Sequence, residues 1–425
     1  MKRIATFLIL VFIFLFFFSS CRGKQTNKEL LVFCNISSPD YAFVKKAIAE
    51  FESSTGITVS LYKQLPYTST LEAGKDYLDN LYAEMMSGNG PDVFISFTDF
   101  DYHLYKMMES GVFANFDDLI DSDDDFYMDR FEKTLMDTGV FYGNRYIMPL
   151  TYTVPVSFVS QERMREFNIT RSDIKDYESL LDTSLAFQGQ DKMLFTSTWS
   201  KGFAPFYGGW LQEVIDYENQ TVNIDIKTID RCMDVIRNEK VLHNKYGGAD
   251  EGRYINVKEF ENGLLNLVEI PNAQMMFLSS IVGNDVIEVL PLPNYFGNST
   301  AAVHHYSMIS SSSVNINNAW EFVKILLGET CQCEESLETI GIGVAGEYID
   351  ANLDRIAAKY GAGNRVEVAQ LKSLYKTYDN TLILGIHSGM IAGEYLADYV
   401  WSDTPPDLSE LKETLAHEVT FWFSE

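Results

Sequence analysis

The chain has 425 residues, with 33 Lys and Arg against 60 Asp and Glu, a formal net charge of −27, and 46% hydrophobic and 14% aromatic residues. Such a composition is globular, and the length implies two large domains or three small ones. A surface this acidic excludes nucleic acid as a partner and excludes electrostatic docking on anionic lipid.

The N-terminus reads as an export address. Met1-Lys2-Arg3 is basic, Ile4 to Phe18 is almost wholly apolar, and Ser19-Ser20 is a small-residue exit. These are the n-region, h-region and cleavage site of a signal peptide. The apolar run is shorter than the about 18 residues that a single-pass anchor needs. Phe18-Ser19-Ser20-Cys21 resembles a bacterial lipobox, with Phe18 where Leu is usual. That resemblance implies a diacylglycerol-modified Cys21 as the mature N-terminus, residues 1–20 as a lipoprotein signal peptide and the polar stretch 21–29 as a flexible tether.

Leu30-Leu-Val-Phe33 then opens as a strand. Ser38-Pro39 offers a cap and a first-turn proline, and Tyr41, Val44, Ile48 and Phe51 recur at helical spacing up to Gly56. Ile57, Val59 and Leu61 alternate with polar residues as in a strand. Strand–helix–strand is the unit of a parallel sheet. It continues with a helix over Tyr77–Met86, a buried strand Val93–Ile95 after Gly90-Pro91-Asp92, and a helix over Leu104–Glu109 ending at Gly111. Residues 146–160, with Pro149 and Pro155, read as an extended crossing between domains. Residues 162–285 read mainly as helices, with apolar stripes at Ile229–Ile236 and Phe260–Val268. Val286–Leu290 is a return strand before Pro291-Leu-Pro293. Ala319–Leu327 is a helix capped by Asn318, and Leu411, Leu415, Val419 and Trp422 line one face of a C-terminal helix.

Three motifs resist a chemical reading. Asp121, Asp123, Asp125 and Glu132 occupy EF-hand-like positions, but Phe126 stands where that loop needs Gly, so a solvated loop is expected. Gly341-Ile-Gly-Val-Ala-Gly346 has the spacing of a dinucleotide loop without a preceding strand, which points to a turn before a helix. Cys331-Gln-Cys333 is open to three readings: a local disulfide, a metal half-site or two thiols; no zinc-spaced Cys/His partner exists in the sequence, so no metal is expected. Cys34 and Cys232 read as buried small hydrophobes. Gly-x-Ser-x-Gly, His-Glu-x-x-His and the P-loop are all missing, so no enzyme, catalytic residue or cofactor is expected.

The order of the pieces resembles the family 1 extracellular solute-binding proteins of ABC importers, the maltose-binding-protein-like group. The resemblance is carried by Phe43 to Val59, by Ser87-Gly-Asn-Gly-Pro-Asp-Val-Phe94, by Gly111-Val-Phe-Ala-Asn-Phe-Asp-Asp-Leu-Ile120, by Tyr142-Gly-Asn-Arg-Tyr-Ile-Met-Pro149, and by Pro291-Leu-Pro293 with Ser310–Ser313 and Ala319–Leu327. Residues 160–285 match loosely, and 341–380 differ from the commonest members. The resemblance implies an α/β, two-lobed periplasmic-binding-protein-like fold (type II) with a ligand cleft between lobes joined by crossing segments. Lobe 1 is expected over 30–148 plus about 290–330, and lobe 2 over 149–289 plus about 331–425.

The implied role is a lipoprotein on the outer face of the cytoplasmic membrane that captures a sugar or oligosaccharide. It would pass this ligand to ABC permease subunits driven by a cytoplasmic ATPase, acting as a monomer held to the membrane by its lipid. A lipid-anchored carbohydrate-active enzyme and a ligand sensor for a membrane receptor are the rivals. Sugar binding uses flat aromatic rings and planar hydrogen-bonding groups, placed in loops at strand ends or at the crossings. The candidates are Asn35, Ser37 and Tyr41 after the first strand; Asp99, Phe100 and Asp101 after the third; Tyr152 on the crossing; Trp199, Tyr207 and Trp210 in an aromatic cluster; and His304, His305 and Tyr306 after the return segment.

Overall fold

The computed structural model describes residues 29–34, 42–62, 71–97, 104–154, 156–186, 193–197, 215–216, 221–222, 263–268, 287–291, 300–335, 341–359 and 368–383, with short stretches between 407 and 420. Strand β1 (Glu29–Cys34), helix α1 (Ala42–Thr55), β2 (Thr58–Leu61), α2 (Leu71–Met86), β3 (Val93–Phe97) and α3 (Leu104–Glu109) follow the alternation read from the sequence. α2 starts six residues before the expected Tyr77. Both β2 and β3 pair parallel with β1. Helix α4 (Phe116–Asp121), helix α5 (Lys133–Asp137) and a hairpin of β4 (Val140–Phe141) and β5 (Asn144–Arg145) lead to β6 (Met148–Thr153).

The chain then enters a second sheet with β7 (Val156–Ser160). Helices α6 (Gln161–Phe167) and α7 (Tyr177–Ala186), strand β8 (Met193–Ser197), the short pair β9 (Ile215–Asp216) and β10 (Thr221–Val222), β11 (Gly263–Val268) and β12 (Ile287–Pro291) follow. This sheet runs β12-β7-β11-β8. The expected helical stripe at Phe260–Val268 is therefore corrected: residues 263–268 form β11, paired on one side with β7 and on the other with β8. A short unbroken apolar run fits a doubly paired strand as well as a helix, and length decides for the strand. The stripe at Ile229–Ile236 lies outside the described residues, as do Leu411, Leu415, Val419 and Trp422. The described positions between 409 and 420 are helical.

β13 (Thr300–Ile309) returns to the first sheet, whose order is β14-β6-β13-β3-β1-β2 with β15 also on β13. It pairs antiparallel with β3 and with β6. Helix α8 (Ile316–Leu326) begins three residues before the expected start, with Asn315 rather than Asn318 at its N-cap position. The Asn315 amide serves the tertiary fold: its Nδ2 donates to Glu29 O and to the buried Asp92 carboxylate. Asp92 also accepts from Leu31 N at 2.9 Å and Ser313 Oγ at 2.6 Å, tying β1 to the turn after β13. On α1, Phe51 meets Phe322 of α8 edge-on at 5.6 Å, and Phe33 stacks on Phe94 at 4.9 Å.

The segment after 328 is where the expected lobe boundaries fail. α9 (Glu329–Gln332) straddles the expected boundary, and β14 (Ile342–Gly343), α10 (Ile349–Lys359), α11 (Val368–Leu374) and β15 (Asn380–Ile383) were assigned with the second lobe, yet β14 pairs with β6 and β15 with β13. The boundary at 149 likewise falls inside β6, which stays in the first sheet to Thr153. Gln332 explains the attachment. Its buried side chain donates to Leu150 O at 3.2 Å and Leu326 O at 3.0 Å and accepts from Ala345 N, while its carbonyl accepts from Asn352. The glycines of the 341–346 motif let β14 come this close. A Cβ on Gly341 would meet Tyr152 O at 2.6 Å, and one on Gly343 would meet Gln332 Oε1 at 2.4 Å. Gly341 also takes φ +126°, open to glycine and strained for other residues.

The acidic loop serves α8. Asp123 Oδ2 accepts from Lys324 Nζ at 2.6 Å and Trp320 Nε1 at 2.8 Å, and these partners, Lys324 first, hold the Asp123 carboxyl below its usual range. Glu132 instead caps α5 and accepts from Tyr378. Among the described residues no group of three or more His, Cys, Asp or Glu could hold a metal ion, and no helix is long and apolar enough to cross a membrane. Cys34 and Cys331 are buried thiols and Cys333 a partly exposed one; Cys331 Sγ donates to Phe43 O, and burial pushes its thiol up to about 12.

Gly341→Ala adds a methyl against the β6 backbone at a left-handed position. We expect it to destabilise the protein by about 2–3 kcal/mol, read as a lowered midpoint in denaturant. An unchanged midpoint would contradict the close approach of β14 to β6.

Candidate functional site

The carboxyl ends of several strands converge where the chain crosses between the sheets. β6 leaves the first sheet after Thr153, and β7 begins at Val156. β12 ends at Pro291 in register with Val156, and β13 begins at Thr300, with Ala302 opposite Thr153. Two antiparallel pairs, β7–β12 and β6–β13, thus carry both crossings. β3 arrives from one direction, with Phe97 opposite His305. β15 arrives from the other, with Ile383 opposite Val303. Between these two strand ends lies His304. In open α/β sheets a crevice outside diverging carboxyl ends is where ligands bind.

Register is locally broken at this point. Val303 opposes Tyr152 and His305 opposes Thr151, so His304 is an extra residue; Tyr306 then opposes Pro149, so Leu150 is extra on β6. The two bulges offset one another and restore the ladder. Their effect is on side-chain direction. Thr151 and Thr153 lie two apart on β6 and share a face. Thr151 Oγ1 is 2.7 Å from His305 Nδ1, and Thr153 Oγ1 is 2.9 Å from His304 Nε2. Consecutive histidines, which a regular strand would send to opposite faces, therefore both meet this face.

The two faces of the β6–β13 pair differ. On the back, Tyr152 is fully buried, its hydroxyl donating to Tyr375 O at 2.9 Å and its ring packed on Tyr375 and Tyr378. Burial pushes the Tyr152 phenol well above its ordinary range. On the front, His305 is buried beneath Phe43 of α1, edge-on at 6.1 Å. His304 keeps part of its surface exposed. Burial pushes His304 down to about 4, and burial together with His304 holds His305 well below the ordinary imidazole value.

Of the residues named from the sequence, Tyr152, His305 and Tyr306 lie inside the first lobe with at most 2% of their surface exposed, as packing residues of the crossing strands. Asn35, Ser37, Tyr41, Asp99, Phe100, Asp101, Trp199, Tyr207 and Trp210 lie outside the described residues, as does Cys21. β1 and β3, which lead into the first two groups, end at Cys34 and Phe97. Thr151 and Thr153, which meet the two histidines, were not singled out from the sequence. The alternation in Thr-Tyr-Thr carried the signal, because choosing Tyr152 for one face assigns both threonines to the other.

Comparison with known proteins places this arrangement. Residues 35–330 match the family model of the bacterial extracellular solute-binding proteins. No curated protein matches the sequence. Among solved structures, the sugar-binding protein MalE from the phytopathogen Xanthomonas citri is 13% identical, with 93% of this chain and 97% of that chain covered and a TM-score of 0.64. The cyclic alpha-maltosyl-1,6-maltose binding protein from Arthrobacter globiformis is 12% identical, covering 93% and 98%, with a TM-score of 0.58. An ABC substrate-binding protein from Listeria monocytogenes, in complex with cycloalternan, is 14% identical, covering 93% and 99%, with a TM-score of 0.56. At these identities the likeness is one of fold: α/β, two-lobed, with the cleft between the lobes.

The lowered histidine pKa gives a pH dependence of known sign. The folded value of about 4 for His304 lies below an unfolded value near 6.5, so the unfolded chain binds more protons between them. The stabilisation is complete above about pH 6.5 and is lost as pH falls towards 4. We expect the unfolding midpoint of His304→Gln to fall less steeply over this window than that of the natural protein. Parallel pH profiles would contradict an imidazole held neutral in the folded protein.

Proposed function

From the premise that this chain belongs to the bacterial extracellular solute-binding proteins, we propose that it is an exported lipoprotein that captures a sugar or oligosaccharide for an ABC importer. The observation that carries the proposal is the family match over 35–330 on a chain that crosses twice between two sheets. Three structures of the same fold, with a MalE, a cyclic-maltosyl-maltose binder and a cycloalternan complex among them, support a carbohydrate as the ligand class. The aromatic and amide candidates that follow β1 and β3 in the sequence, and the Trp199–Trp210 stretch, are the side-chain types a sugar needs.

In this reading the ligand enters the open cleft and contacts both lobes only when they close. Closure is stabilised by that difference in contact. The closed form docks on permease subunits, and a partner ATPase supplies the energy. Cys21, carrying the lipid, keeps the domain at the outer face of the cytoplasmic membrane, and one domain acts alone.

A thermal-shift screen of the domain from residue 28 onward, against sugars, oligosaccharides, amino acids and polyamines, tests this reading. A ligand at a hundred times its Kd adds about 2.7 kcal/mol of stability. We expect a clear upward shift with one sugar series, reduced by Trp199→Ala or Trp210→Ala. A shift with a different class alone would overturn the carbohydrate assignment. For the anchor, Cys21→Ser should move the full-length protein from the membrane to the soluble fraction of cells; retention on the membrane would overturn lipidation.

A further inference from the structure

We propose that His304 is a ligand-contacting residue on the floor of the cleft, donating a hydrogen bond from its Nδ1–H to a sugar hydroxyl while Thr153 holds its Nε2. The proposal rests on the sugar-receptor reading above and assigns one group of that site.

Three observations carry it. First, position: ladder pairing skips His304, which sits between the carboxyl ends of β3 and β15 and on the strand pair that links the lobes. Second, direction: the bulge turns His304 to the same face as Thr151 and Thr153, while the opposite face is closed by Tyr152, Tyr375 and Tyr378. That closed face cannot receive a ligand without dismantling the core, and on the front Thr151, Thr153 and His305 are themselves buried, so His304 is the side chain among them with surface left to offer. Third, exposure: the neighbouring His305 is 2% exposed beneath Phe43, whereas His304 retains open surface.

The chemistry follows from the Thr153 contact. In this assignment the Thr153 hydroxyl is the donor across its 2.9 Å contact with Nε2, which places the neutral ring's proton on Nδ1. A neutral imidazole held in one orientation gives a single directed donor, suited to an uncharged hydroxyl. Burial opposes a charge on the His304 ring, and His304 in turn opposes one on His305. The other groups facing the pair from β6 and α1, namely Thr151, Thr153 and Phe43, carry no charge.

Histidine carbethoxylation with diethyl pyrocarbonate at pH 7 tests the placement, read residue by residue through peptide fragmentation. His304 should be modified faster than His305 in the ligand-free protein, and saturation with whichever of maltotriose, mannotriose or cycloalternan stabilises the protein most should slow its modification at least fivefold. Two variants test the donor. His304→Asn places an amide N–H near the Nδ1 position and should keep the Kd for that sugar within threefold. His304→Gln keeps a partner for Thr153 but loses the donor, and should raise the Kd about tenfold. A purely structural role would lower the unfolding midpoint of both variants without protection by the sugar. Stabilisation by a sugar with His304 unprotected, or with equal Kd in both variants, would overturn this inference and leave the receptor reading intact. Failure of every sugar in the screen would overturn the carbohydrate reading, and the sugar contact with it.

Discussion

The first lobe depends on one strand. β13 pairs with β3 on one side and β6 on the other, and without it the parallel unit β2-β1-β3 would present an open ladder to solvent. Because β13 arrives only after the chain has built the second sheet, the strands on either side of both crossings are paired, β6 with β13 and β7 with β12. The chain leaves β6 at Thr153 and enters β7 at Val156, and it leaves β12 at Pro291 and rejoins the first sheet at Thr300. The offset bulges at His304 and Leu150 lie beside this junction. They let the ladder change side-chain direction without losing register.

The opposite faces of the β6–β13 pair divide the work. The back is a tyrosine cluster, where Tyr152, Tyr375 and Tyr378 fix the C-terminal segment against the crossing. Gln332 and the Gly341–Gly343 approach hold the same segment from the side. The front is uncharged and polar, with two threonines and two imidazoles kept neutral by burial.

The local units were legible because each carries its own signal. Val44 and Phe51 mark the buried side of α1, and Gly56 ends it. Gly90-Pro91-Asp92 announces β3, although nothing in the sequence shows that Asp92 binds Leu31, Ser313 and Asn315. What was illegible depends on partners distant in sequence. β11 was read as helix because its sheet neighbours are far along the chain. The 341–346 glycines were read as a turn before a helix, and a helix does follow at Ile349; their close approach to β6 and to Gln332 was not legible. At the crossing, that Tyr152 packs on Tyr375 while its threonine neighbours meet the histidines depends on which face the C-terminal segment covers.

The buried thiols have a consequence for the chain's history. Cys34 lies at the end of β1, and Cys331 points from α9 at the first turn of α1. Neither is shielded until the sheet and its covering helices have assembled. On the exported reading, the nascent protein meets an oxidising compartment with these sulfurs bare, and Cys331 stands two residues from Cys333. A bridge between those neighbours would pull Cys331 away from Phe43 and unseat α9, so maturation becomes a race that packing must win over oxidation. Once packed, the Cys331 sulfur is chemically silent, because burial suppresses its thiolate.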